Sequence, residues 1–178
     1  MRHFTNINPV GEWGLMDNSS HYPSHMLGYM KYKYGGWIDS VDEITETGTY
    51  TLYPLQDSGD NLYKIFTGIK NEWVYIEYRD NDGLYEDQLS DSGLIVYRVN
   101  TSIEGNEDGS FNEAGHARDE VFVFRPFMDD KEEPIVVIDV SEDSNGSPEF
   151  AAIGPNNAIT EMGIGTSTAM FSSYGRII

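Results

Sequence analysis

Apolar positions along this chain fall into two regimes. Through residue 46 they are sparse and set among Asn, Ser, Gly and Pro, so residues 1–22 read as irregular loop around a turn at Trp13–Met16. Behind Pro23-Ser24, the residues Met26, Leu27, Met30 and Tyr34 fall at helical spacing and predict one short helix, stopped by Gly35-Gly36. From Thr47 the period changes to two. Tyr50 and Leu52 predict a strand, Leu62 to Ile69 a second, and Asp57-Ser58-Gly59-Asp60-Asn61 the turn between them. The β-branched and aromatic runs Glu72–Arg79 and Leu94–Val99 predict two more strands joined by an acidic loop. Glu120–Arg125 and Pro134–Val140 add further strands, and the Gly-, Ser- and Asn-rich residues after Ser141 predict an irregular tail with one strand near Ala169–Phe171.

The fold class this implies is α+β and mostly β, with one short N-terminal helix followed by an antiparallel, sandwich- or barrel-like set of strands. A length of 178 residues suits a single domain with its own core. Its parts are a turn-and-helix segment over 1–46, a β-rich body over 47–140 and a tail over 141–178.

Charge narrows the function classes. Thirty acidic against eleven basic residues give a net charge of −19, which repels phosphate backbones and anionic lipid and favours cationic partners or metal ions. No cysteine is present, so a metal site would be built from oxygen and imidazole. No apolar run reaches the ~20 residues a membrane helix needs, and the N-terminus has no basic region leading into an apolar one. A phosphate-cradling Gly-rich loop, a serine nucleophile elbow and a basic aromatic patch are likewise missing from the sequence.

Three constellations carry candidate chemistry. His21 and His25 have the i, i+4 spacing of a zinc-binding helix, but Pro23 between them disfavours helix at Tyr22, so the rings are not expected on one face. Asp80, Asp82, Glu86 and Asp87, with Gly83 among them, form an oxygen-rich loop that could take calcium, although its spacing is not that of an EF-hand. The run Glu104-Gly105-Asn106-Glu107-Asp108-Gly109 has the same character. Glu77 and Arg79 lie two apart in a predicted strand and so on one face. A carboxylate in so apolar a run is expected to be paired, because an unpaired buried charge costs several kcal/mol.

Ordered motifs then point to a family. Asn8-Pro9-Val10-Gly11-Glu12-Trp13-Gly14-Leu15-Met16-Asp17, then Pro23-Ser24-His25-Met26, then a helix running into Lys33-Tyr34-Gly35-Gly36-Trp37 resembles the segment after the zinc helix in secreted metallopeptidases of the immune inhibitor A family. Gly48–Leu52 and Leu62–Ile65 look like that family's next strands, Tyr75–Arg79 like its Leu-Glu-Asn-Arg segment, and Gly93–Asn100 like its Gly-Leu-Leu-Ile-x-His-Val-Asp segment. Asp119–Pro126 fits a version of the pattern, so the likeness spans about Asn8 to Pro126. Arg98 and Asn100 depart from it, standing where relatives carry His and Asp.

The resemblance implies that Met16 underlies the zinc site of a complete enzyme, with Trp13 and Leu15 fixing the turn. As plain core residues closing a loop they would look the same. The zinc-binding string H-E-x-x-H itself is missing, and none of His3, His21, His25 and His116 is followed by Glu. The expectation is a non-catalytic C-terminal portion of a zinc metallopeptidase domain, exported, with zinc and a protein substrate only in the full-length enzyme and calcium as a possible ligand of its own. A separate chain bearing the zinc helix could also complement it, leaving an apolar face around Met16, Met26 and Met30. The alternative is a stand-alone acidic β-domain whose aromatic residues bind a carbohydrate or a cationic protein.

Overall fold

A computed structural model describes residues 10–15, 23–57, 59–89, 91–102 and 120–124. The expected strands at Pro134–Val140 and Ala169–Phe171 lie outside the described residues, as do Met16, His21 and the second acidic loop.

The two longest strands form at the two β-branched and aromatic runs of the sequence. Strand β3 (Glu72–Arg79) and β4 (Gly93–Asn100) pair antiparallel over their full length, from Glu72↔Asn100 to Arg79↔Gly93. Strand β2 (Leu62–Phe66) pairs antiparallel with β3, and β5 (Val121–Val123) with β4. β2 stops at Phe66, short of the expected Ile69, because Gly68 (φ 87°) and Asn71 (φ 66°) adopt left-handed backbone in the turn to β3.

The fifth strand departs from the expected antiparallel pattern. β1 (Asp42–Glu43) runs parallel to β2 through Asp42↔Tyr63 and Glu43↔Lys64, so the sheet is mixed, open and ordered β1-β2-β3-β4-β5. β1 occupies the edge of β2 that the expected Tyr50–Leu52 strand would have needed. That segment is not a strand; it meets the sheet through the Tyr50 ring, edge-on to Tyr63 of β2 with centres 5.5 Å apart, and its neighbourhood through the bridge Pro54↔Tyr78. Ser58 of the expected turn lies outside the described residues, but its flanks are tied together by the Tyr53 amide donating to the Asp60 carbonyl (2.9 Å) and Asn61 Nδ2 to the Pro54 carbonyl (2.7 Å).

Both faces of the sheet are buried. On one, Leu62, Tyr75, Ile95, Tyr97, Val99, Val121 and Val123 pack against Val10, Trp13, Leu27 and Tyr29. On the other, Val74, Val96, Phe122 and Phe124 form a second apolar cluster flanked by Ile65 and Ile76. This two-sided burial explains why Leu94–Val99 reads as a nearly continuous apolar run instead of alternating.

The helical segment is shorter than its periodicity implies. α1 (Gly28–Met30) passes directly into a π-helical turn over Lys31–Gly35, which ends as expected at Gly36, in left-handed conformation at φ 62°. Residues Pro23–Leu27, expected to be its first turn, belong to no helix or strand. Ser24 does not cap the helix. Its hydroxyl donates to the Glu12 carbonyl at 2.6 Å, which ties the 3₁₀ turn Gly11–Trp13 to this segment.

The register makes a sharp prediction for adjacent residues. Ile95 is fully buried, so Ile95→Ala should lower unfolding free energy by about 2–5 kcal/mol. Leu94→Ala, at a position 37% exposed, should change it by about 0.5 kcal/mol or less. Denaturant titration of both variants checks the assignment, and equal losses would refute it.

Candidate functional site

Alternation in β3 puts Glu77 and Arg79 on the face that receives the helix and the N-terminal turn, and both are buried to zero exposure. A guanidinium there must find acceptors within the protein. Arg79 Nε and Nη2 donate to the two oxygens of Glu86 at 2.7 and 2.6 Å, a bidentate pair, while Nη1 donates to Glu77 Oε1 at 3.2 Å. The remaining donors reach backbone: Nη1 to the Trp13 carbonyl at 3.0 Å and Nη2 to the His25 carbonyl at 3.3 Å. The guanidinium also lies 5.9 Å from the centre of the Trp13 ring.

Each carboxylate has a second task. Glu86 Oε1 accepts the His25 amide at 2.9 Å. Glu77 Oε2 accepts the Gly28 amide at 2.7 Å and the Tyr97 hydroxyl at 2.8 Å, and that hydroxyl accepts the Tyr29 amide at 2.9 Å. The sheet thus supplies the caps for the first amides of α1, with a negative charge at the helix N-terminus. Gly28 leaves no room for alternatives, since a Cβ there would meet Leu62 Cδ1 at 2.9 Å and Glu77 Oε2 at 3.0 Å.

Lys31 completes the charge balance, with its Nζ donating to the Leu55 carbonyl at 3.3 Å. Burial lowers its pKa, with the fields of Glu77 and Glu86 opposing. Burial likewise pushes the Glu77 carboxyl above its ordinary value, although Arg79 and its hydrogen bonds favour the ionised form. Burial works against the Arg79 charge too, but its bonds to Glu86 and the field of Glu77 more than offset it and hold the guanidinium protonated. Tyr97 is raised well above the phenol range by burial and then by Glu77 beside it. Tyr75, stacked on Tyr97 with ring centres 5.7 Å apart, is pushed up to about 12 by burial.

The expected Glu77–Arg79 pair is therefore present, but the closer partner of Arg79 is Glu86, one of the four carboxylates whose spacing suggests a calcium loop. A carboxylate chelated by a guanidinium and an amide is not offered to a cation. Among the other three, Asp80 accepts the Ser92 hydroxyl at 3.2 Å, Asp82 accepts the Gly83 amide at 2.8 Å, and Asp87 is exposed. No group of three or more His, Asp or Glu residues is arranged to hold a metal ion among the described residues. His25 is half-buried outside any helix or strand, its ring edge-on to Tyr85 with centres 5.8 Å apart. Trp13 is fully buried and Leu15 half-buried. Arg98 and Asn100 converge on Glu72, at 3.6 and 3.0 Å.

Of this network the sequence offered one signal, a Glu-x-Arg pair inside an apolar strand. Gly28, Lys31 and Tyr97 look like ordinary helix and strand residues and gave none. Of the aromatic residues considered for a binding face, Trp37 is 69% exposed, while Trp73 is half-buried against Phe66. No described helix is long and apolar enough to cross a membrane. Comparison of the chain with protein families, with curated proteins and with solved structures gives no match.

Two outcomes follow from the network. Arg79→Met leaves two buried carboxylates facing one buried cation, Lys31, and should cost about 3–5 kcal/mol in a denaturant titration. Arg79→Lys should recover little of this loss, because an ammonium cannot span Glu86, Glu77 and two carbonyls at once. His25 sets a pH dependence. Burial first, then the Lys31 charge, lower its folded pKa below 6.5, so below that pH the unfolded chain binds a proton that the folded one does not. Stability contributed by neutral His25 is complete above 6.5 and is lost as pH falls through the lowered value. His25→Gln should flatten the fall in melting temperature as pH drops below 6.5, and an unchanged slope would refute the assignment.

Proposed function

We propose that this chain is the C-terminal, mostly β portion of an immune inhibitor A-like zinc metallopeptidase domain, and that it supports proteolysis without performing it. The observation that carries the reading is the grip of Arg79 on the turn at Trp13. In the resemblance, the Trp-x-Leu-Met turn lies beneath the metal, and the strand carrying Glu77 and Arg79 corresponds to the family's Leu-Glu-Asn-Arg segment. Here those two motifs, 66 positions apart, meet in a direct hydrogen bond from Arg79 to the Trp13 carbonyl. A floor under a metal site must be stiff, and a turn held by a buried bidentate ion pair is stiff.

The chain carries no H-E-x-x-H string, so the reading assigns no catalytic step to its residues. Zinc, its ligands and the general base would come with an H-E-x-x-H helix, and the substrate would be a protein bound across both parts. In this reading the complete polypeptide is exported.

The test has two parts. The purified chain, given zinc and casein, should show no cleavage that a chelator abolishes. Intact mass spectrometry of the native polypeptide, captured by antibody from cells and medium, should find a species larger than 20.1 kDa with an N-terminal extension containing H-E-x-x-H. Chelator-sensitive cleavage by the chain alone, or a native species of that mass, would overturn the proposal.

A further inference from the structure

The loop between β3 and β4 buries Leu89 but turns Leu84 and Tyr85 outward. Leu84 is 74% exposed and Tyr85 51%, in a molecule whose sheet is buried on both faces. This presentation is enforced from both sides. Before the tip, Gln56 Nε2 donates to the Asp82 carbonyl at 3.3 Å. After it, Glu86 is locked on Arg79, and Leu89 is buried in the core. The backbone between these anchors is left-handed at Gly83 (φ 91°) and at Tyr85 (φ 72°), a conformation an aromatic residue rarely adopts. Glycine or asparagine would hold that shape more comfortably, and neither would display a phenol ring.

The charge around the tip selects the partner. Asp82 and Asp87 flank it and are exposed, whereas Glu86, the third carboxylate, is neutralised inside by Arg79. The whole chain carries −19, so a second copy, a nucleic acid or an anionic lipid surface is repelled. We propose that the Leu84–Tyr85 tip is a docking site for a cationic protein segment, which packs an apolar side chain on Leu84 and Tyr85 and sets its Lys or Arg residues against Asp82 and Asp87. The inference stands whether or not the chain belongs to a peptidase.

The experiment uses the full chain and a fluorescent peptide of sequence Lys-Leu-Lys-Phe-Lys-Leu-Lys, followed by anisotropy at 0.15 M salt. Leu84→Ser and Tyr85→Asn should each weaken binding by about tenfold or more. Trp37→Ser, which removes an exposed aromatic elsewhere, should leave it unchanged. Tyr85→Asn should also raise the melting temperature by about 2–4 °C, since asparagine suits the left-handed backbone. Higher stability with weaker binding is a result that simple damage to the fold cannot produce. No binding by the wild-type chain would overturn the proposal, and so would equal binding by all four proteins, which would reduce the interaction to bulk charge. An equal loss in Trp37→Ser would do the same.

Discussion

A guanidinium shut away from water must find acceptors for its N–H groups inside the protein, and the search of Arg79 for them organises the described part of this chain. Its donors reach Glu77 on its own strand, Glu86 in the following loop, and the carbonyls of Trp13 and His25 before the helix. Segments with no strand or helix of their own thereby acquire fixed positions. The cost of burying three charges is offset only if all of these bonds are made together, so the turn, the loop and the sheet are placed as one unit.

The same constraint explains the form of the helix. A segment starting at Pro23 would normally pair its own amides and carbonyls once past the first turn. Here the His25 amide goes to Glu86, the His25 carbonyl to Arg79, the Gly28 amide to Glu77 and the Tyr29 amide to Tyr97. Backbone groups engaged with side chains from the sheet are not available to an early helical turn, and regular helix begins only at Gly28. The π-helical turn over Lys31–Gly35 follows at once, and it carries Lys31 inward to the Leu55 carbonyl. A long aliphatic stem makes that burial tolerable while the charge is answered by Glu77 and Glu86.

The network also couples the buried Trp13 to the exposed Leu84–Tyr85 tip. Glu86 holds Arg79 on one side and sets the inner end of the exposed loop on the other, so the outward display of Leu84 and Tyr85 depends on the same ion pair that fixes Trp13. Elsewhere in the described residues, buried charge is confined to Arg98 and Glu72 near the far end of the sheet, where Asn100 joins them. Both clusters sit on the central strands, where a charged side chain has no route to solvent.

By itself the sequence determined the central strands, the glycine stop of the helix, the acidic character and the presence of a paired carboxylate at Glu77. Each of these is local: period-two alternation, a left-handed backbone requirement, a charge sum, and the cost of an unpaired buried charge. Tertiary structure alone decided that Asp42–Glu43 takes the sheet edge in parallel, that Pro23–Leu27 stays out of the helix and that Glu86 faces inward. It also decided that Gly28, Lys31 and Tyr97 join the network. Those outcomes depend on which distant groups compete for one sheet edge or one guanidinium, and the spacing of residues along the chain does not encode the result of that competition.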